Sequence, residues 1–210
     1  MTRRIRKRPW NTSLDASPSP GNRSNKRLRN DGFALSVAAF LESIRHPKVK
    51  KVAAHWAEAR AGKRAPSWRD IDPTAIGPCL PMVWSWRWDE TDRQFIGRLA
   101  GAHSTAVINK SMRGRSLSEV FGPSLGQETH DLYFRVMTEP ALFHATGKIY
   151  GMFGGVGIGE RVILPLGEDG RSDGVLGATW YSLRDEDGQE EIKSELETKQ
   201  RTFVSLTREI

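Results

Sequence analysis

Candidate reactive groups are sparse in this chain, and each has a structural explanation to compete with. Gly122-Pro123-Ser124-Leu125-Gly126 has the G-x-S-x-G spacing of a nucleophile elbow, where a strained strand-to-helix turn exposes a serine oxygen. The residues before it, Leu117-Ser118-Glu119-Val120-Phe121, read as helical or short rather than as a buried strand. Pro123 or Ser124 suits the first turn of a helix, so the helix-start reading is preferred and no catalytic residue is assigned. The glycine-rich run Gly151 to Gly159 lacks the Gly-Lys-Ser/Thr of a phosphate loop and precedes an expected strand. It is read as a flexible hairpin connection. Of the five histidines (His46, His55, His103, His130 and His144), no two have zinc-ligand spacing on a helix. His130 falls in an expected long helix, from which an axial haem ligand could project. A surface or otherwise satisfied histidine accounts for it better. The single cysteine, Cys79, excludes an internal disulfide and a thiolate metal cluster. Beside Pro78 it reads as a small buried hydrophobe. No metal site is assigned.

Charge narrows the partner classes. The formal net charge is +7, but nine basic residues and one acid fall within residues 1–30, which leaves the remainder nearly neutral. The globular part is therefore not a nucleic-acid surface by charge. Residues 1–32, rich in Arg, Ser, Asn and Pro, cannot bury enough apolar surface to offset their chain entropy and are expected to be a disordered basic arm. Contact with nucleic acid or an anionic surface is expected only through residues 3–29. A misassigned start codon would equally explain the arm. No apolar run approaches a membrane span and no h-region follows the basic N-terminus, which points to a soluble cytoplasmic protein.

Periodicity then assigns the elements. Residues 33–65 predict two helices, the second opened by His46-Pro47, carrying Val49, Val52, Ala53 and Trp56 on one stripe and closed at Gly62. Prolines from Pro66 to Pro81 predict a connector with a turn at Pro73-Thr74-Ala75-Ile76. Met82, Trp84, Trp86 and Trp88 then alternate with Val83, Ser85 and Arg87, which is the signature of a strand. The tryptophan face is read either as core packed against Trp56 or, if that helix leaves it bare, as a partner interface. A polar turn leads to a second strand at Phe95–Ala100. Short helical pieces follow over residues 102–121. A longer helix from Pro123 is stopped by Pro140, with Leu125, Leu132, Tyr133, Val136 and Met137 on one face. Phe143–Tyr150, Arg161–Leu166 and Gly174–Leu183 predict three more strands. The result is an α+β fold around a five-stranded antiparallel sheet, ordered β-β, helices, β-β-β along the chain. Residues 185–210 are acidic, then weakly amphipathic through Ile192, Leu196, Phe203 and Leu206, and predict a flanking C-terminal helix. Arg98 is either a surface residue or the partner of an acid such as Asp70 or Asp72.

That element order, with Asp70-Ile71-Asp72-Pro73, Leu80-Pro81, the Trp84/Trp86 strand, Arg98-Leu99-Ala100-Gly101 and Arg113-Gly114-Arg115-Ser116-Leu117, resembles a PAS domain. The likeness is to short stand-alone PAS-type regulators found mainly in alphaproteobacteria, and it covers roughly residues 47–183. Ala102-His103 departs from it, standing where a polar Thr or Glu is expected. The resemblance implies a PAS-type domain over residues 66–184, with Asp72, Pro73, Pro81, Arg98, Gly101 and Gly114 as its structural motif. It implies a non-enzymatic sensor or regulator that binds a small apolar ligand or a signalling protein and transmits this by protein–protein interaction. The candidate pocket residues, taken from the sheet face and the long helix, are Trp84, Trp86, His103, Tyr133 and Met137. No cofactor is named: Cys79 lacks the setting of a flavin-adduct cysteine, and haem is not expected. A homodimer through the N-terminal helix or the Trp-rich face fits the architecture. The alternative reading is a nucleic-acid-associated regulator that works through the basic arm.

Overall fold

A computed structural model describes residues 36–139, 141–152, 155–168, 171–185 and 201–206. The basic arm of residues 1–32 and the acidic stretch 186–200 lie outside them.

Two helices come first. Residues 36–43 form α1, which buries Val37 and Phe40. Pro47–Ala59 forms α2, with Pro47 in its first turn and the stripe Val49, Val52, Ala53 and Trp56 buried as the spacing predicts. The proline-rich connector contains two 3-10 turns, Trp68–Asp70 and Gly77–Met82. Strands β1 (Val83–Asp89) and β2 (Gln94–Ala100) form the expected hairpin. Three helices follow: α3 (Ala102–Ile108), α4 (Leu117–Phe121) and α5 (Pro123–Thr138). The chain returns to the sheet in β3 (Ala141–Met152), β4 (Gly155–Glu168) and β5 (Arg171–Asp185), and again in β6 (Arg201–Ser205).

All pairings are antiparallel, and the strands lie side by side in the order β2-β1-β5-β4-β3-β6. The α+β antiparallel architecture is the expected one, with a sixth strand added. That strand corrects the expected C-terminal helix where the structure describes it. Residues 201–205 pair with β3, because Thr202, Phe203 and Val204 are strand formers and β3 offers them an unpaired edge. Phe203 and Val204 then pack into the clusters on opposite faces of the sheet, a period of two rather than 3.6.

Both faces of the sheet are covered, so its central strands are buried on both sides. On one face α1, α2 and the connector pack over Val162, Leu164, Leu166, Leu176 and Ala178. On the other face α4 and α5 pack over Trp84, Trp86, Phe143, Ile163 and Val175. This layering corrects the reading that paired Trp56 with the tryptophan stripe. Trp56 lies under α2 on the first face, with its indole N–H donating to the Pro165 carbonyl at 2.8 Å. The stripe lies on the second face under α5, so neither an uncovered partner interface nor dimerisation through that sheet face is available. Met82 also leaves the stripe. The Pro81-Met82 3-10 turn breaks the alternation and sends Met82 into the first face beside Val83.

Two further expectations change. The Gly151–Gly159 run is mostly strand, with β3 reaching Met152 and β4 starting at Gly155. The segment before Ser124 is helix α4, not a strand, and Ser124 sits in the first turn of α5. A nucleophile elbow is therefore not formed.

One loop closes the edge of the sheet beside the candidate site. The β1–β2 register jumps from Ser85–Leu99 to Trp86–Gly97, so Arg98 is the extra residue of a bulge. Gly97 then donates to the Arg115 carbonyl at 2.9 Å and accepts from the Gly114 N–H at 2.8 Å. The strap 112–116 so covers the β2 edge and leads into α4, which is opened by a reciprocal Ser116–Glu119 capping box. Ser116→Ala is expected to lower stability by about 1 kcal/mol. Urea unfolding checks this, and Ser116→Asp should retain most of the wild-type value.

Candidate functional site

The site arises where β1 alternates. Period two turns Trp84 and Trp86 toward the helical layer, and each indole meets α5 or α4. Trp84 stacks on Tyr133 with ring centroids 5.4 Å apart at 21°. Trp86 packs against Tyr133 at 6.4 Å and Phe121 at 5.9 Å. The Trp84 indole lies flat over its cross-strand neighbour Gly177, where any Cβ would stand 2.1 Å from the ring. Only glycine lets the indole reach that position.

Between these rings and the helices remains a cavity of about 200 Å³. Ser104 and Ile108 of α3 and Met112 of the strap close one side. Phe121 of α4 and Leu125 and Thr129 of α5 also line it. Ile149 of β3 and Arg161 of β4 complete the lining. Leu125, at the start of α5, is the large apolar side chain most open to solvent among the described residues, at 43% exposure.

The polar groups of the lining are unevenly satisfied. Thr179 Oγ1 accepts from the Trp84 indole N–H at 2.9 Å and from Arg161 Nε at 3.1 Å, which fixes the ring and the guanidinium together. Trp86 Nε1 and Ser104 Oγ, by contrast, are buried without a hydrogen-bond partner in residues only 0% and 1% exposed. An unmade hydrogen bond on a buried group costs on the order of 1–3 kcal/mol. Both residues belong to the lining of the same cavity.

Of the five residues expected in the pocket, the structure brings Trp84, Trp86 and Tyr133 to this lining. Met137 is buried in the same cluster but does not line the cavity. His103 is turned away on α3, its ring 4.2 Å from that of Tyr181, whose hydroxyl donates to the His103 carbonyl at 2.8 Å. Sequence reasoning passed over Ser104 and Arg161. The signal for Arg161 was present: if Val162, Leu164 and Leu166 face one layer, Arg161 and Ile163 must face the other.

The motif residues hold the surroundings. Arg98 pairs with an acid, as one of the two expected readings has it, but the acid is Asp173, through contacts of 3.2–3.3 Å, rather than Asp70 or Asp72, and the guanidinium lies 4.8 Å over the Trp68 ring. Asp70 instead accepts from the Ser67 N–H at 2.8 Å, and Asp72 accepts from the Thr74 N–H and hydroxyl within the turn that Pro73 begins. Gly101 N–H donates to Val83 O at 2.8 Å, beside the turn that contains Pro81, and Gly114 turns the strap with a φ of +76°.

His130 does not reach the cavity. Its ring stacks on Phe134 at 5.8 Å and meets Phe95 edge-on at 5.6 Å. The cavity has room for on the order of ten non-hydrogen atoms. Cys79 is buried in the core on the other face of the sheet, out of reach of the cavity. Among the described residues, no three His, Cys, Asp or Glu side chains are grouped to hold a metal, and no helix is long and apolar enough to cross a membrane.

A second polar cluster lies one residue away on β4, on the opposite face. Glu160 is 4% exposed and accepts from the backbone N–H groups of Arg45, at 2.9 Å, and His46, where α1 gives way to α2. Its other contact is His144 Nε2 at 2.7 Å. Burial pushes the Glu160 carboxyl up, but these three hydrogen bonds together outweigh it and hold the group below the usual carboxylate range. His144 Nδ1 lies 3.3 Å from Ser43 Oγ, an order of Ser, His and Glu with the look of a hydrolytic triad. The Ser43 hydroxyl, however, donates to Phe40 O at 2.7 Å, as helical serines do, so the arrangement is a latch between the N-terminal helices and the sheet.

A family model described as PAS domain matches residues 44–180, well over half of the chain. Neither a curated protein nor a solved structure gives a match.

Proposed function

The chain belongs to the PAS domain family, and on that premise we propose that it is a non-enzymatic sensor that takes a small molecule between its sheet and helices and signals to a protein partner. The cavity beside Trp86 and Ser104, with its two unpaired buried polar groups, supports this reading more than any other feature. Strand β4 supplies the route outward. Arg161 borders the cavity while its neighbour Glu160 grips the α1–α2 junction through the other face of the sheet. A ligand that moves Arg161 shifts β4, and β4 carries the attachment of the N-terminal helices. A signalling protein would then read the position of α1 and α2. Cytoplasmic residence and self-association through the N-terminal helices belong to the same proposal.

Thermal-shift screening of the full chain against small metabolites tests it, since a ligand that binds only the native state raises Tm by mass action. At least one compound is expected to raise the Tm of the wild type and leave Ser104→Leu, whose larger side chain fills the cavity, unchanged. Compounds that stabilise both proteins equally would place binding elsewhere and overturn the cavity's role.

A further inference from the structure

The geometry points to a small carboxylic acid with an aromatic or branched apolar body as the ligand of this cavity, an inference that rests on the cavity being the ligand site. Trp86 Nε1 decides the sign of the polar end. An indole nitrogen donates and never accepts, so the group that relieves this buried atom is an acceptor. Ser104 Oγ, also buried and without a partner, can add a second donor.

Charge decides the rest. Among the described residues that line the cavity, Arg161 is the one that carries a formal charge, and it is positive. Thr179 holds its Nε, and with it the plane of the guanidinium, which favours a flat two-oxygen anion over a single point charge. One guanidinium and two neutral donors suit one negative charge. A phosphate, with up to two charges and three or four oxygens to satisfy, would be under-served here. The remaining wall is apolar: Trp84 and Tyr133 offer ring faces, and Ile108, Met112 and Ile149 offer aliphatic surface. A volume of about 200 Å³ limits the whole molecule to on the order of ten non-hydrogen atoms.

Two matched series test this on the full chain by thermal shift and titration calorimetry. Benzoate, phenylacetate and isovalerate form the acid series; benzamide, phenylacetamide and benzyl alcohol form the neutral one. The acids are expected to raise Tm with dose and the neutral compounds to bind at least tenfold more weakly. Trp86→Phe, which removes the N–H and keeps a ring, should weaken the best acid about tenfold, the loss of roughly one hydrogen bond to a charged group. Arg161→Gln should abolish the preference for acids over amides. Should either variant fold poorly, the wild-type indole spectrum gives the same answer. The Trp86 N–H resonance should move downfield on titration with the acid and stay in place with benzyl alcohol. Neutral compounds binding as well as the acids would overturn the carboxylate inference and leave the ligand cavity standing. Acid binding that neither variant weakens would overturn it too. If neither series binds while a broad metabolite screen also gives no shift, the cavity reading itself fails.

Discussion

Glu160→Ala is expected to lower stability by about 3 kcal/mol, the range for removing one partner of a buried hydrogen-bonded pair. The substitution leaves His144 Nε2 and the N–H groups of Arg45 and His46 without their acceptor, in a residue only 4% exposed. The damage should be directional. Hydrogen exchange is expected to rise first at the α1–α2 junction, with the β1–β5 pairing still protected. A linked pH dependence follows from the depressed carboxyl. Because the folded group titrates below its unfolded value, its contribution is complete above the ordinary glutamate pKa. It is then lost as pH falls through the lower folded value. His46 adds a separate acid-labile contribution. Burial, with its ring stacked 4.6 Å from Trp180, lowers its pKa against the opposing pull of Glu160. That part begins to disappear as pH falls below the ordinary histidine value. Tm measured from neutral to acidic pH should therefore fall in wild type, and Glu160→Gln should remove the lower step and, by removing the opposing pull on His46, enlarge the upper one. A wild type and a Glu160→Gln variant with parallel profiles would show that the latch does not titrate as described.

Gly97→Ala should be of similar severity for a different reason. A Cβ at position 97 would lie 2.0 Å from the Met112 carbonyl oxygen, a backbone atom that cannot swing away like a side-chain tip. The strap 112–116 must lift from the β2 edge, and the hydrogen bonds from Gly97 to Arg115 and from Gly114 to Gly97 go with it. Overpacking of this kind typically costs about 1–3 kcal/mol, and the lost edge bonds place this case at about 3. Met112 sits on the strap and lines the cavity, so ligand affinity should fall together with stability. Gly77→Ala is the control. Nothing lies within 4 Å of a Cβ there, and the change should stay within about 0.5 kcal/mol. Urea unfolding with an unchanged m-value distinguishes lost stability from an altered denatured state.

Much of this fold is written in local patterns. The α2 stripe, the alternation of Trp84, Trp86 and Trp88, and the prolines at 47, 73, 78 and 81 each act within one turn or one strand, and each lands as its spacing predicts. What was not legible depends on partners far apart in the chain. Arg98 finds Asp173 across 75 positions, where nearby Asp70 and Asp72 looked equally suitable from their charge alone. Those two carboxylates were already engaged by backbone N–H groups at their own turns, a local use that residue counting does not reveal. Trp56 and the tryptophan stripe are alike in composition, and only the layering of the whole sheet separates them. In Phe203 and Val204, a helical reading of sparse apolar residues lost to an open strand edge on β3, a tertiary influence stronger than intrinsic propensity. The pocket was half legible for the same reason. Rings on a strand face announce a wall, whereas Ser104 and Arg161 become site residues only once helices and sheet close around them.

On the proposed function, the space between Trp86 and α5 holds a ligand. Native mass spectrometry on the full chain, after passage through a small-molecule cell extract, addresses it most directly. The expected result is a bound species on the order of 150 Da, matching about ten non-hydrogen atoms, on wild type and missing from Ser104→Leu. Bare polypeptide mass for both proteins, or the same adduct on both, would contradict it.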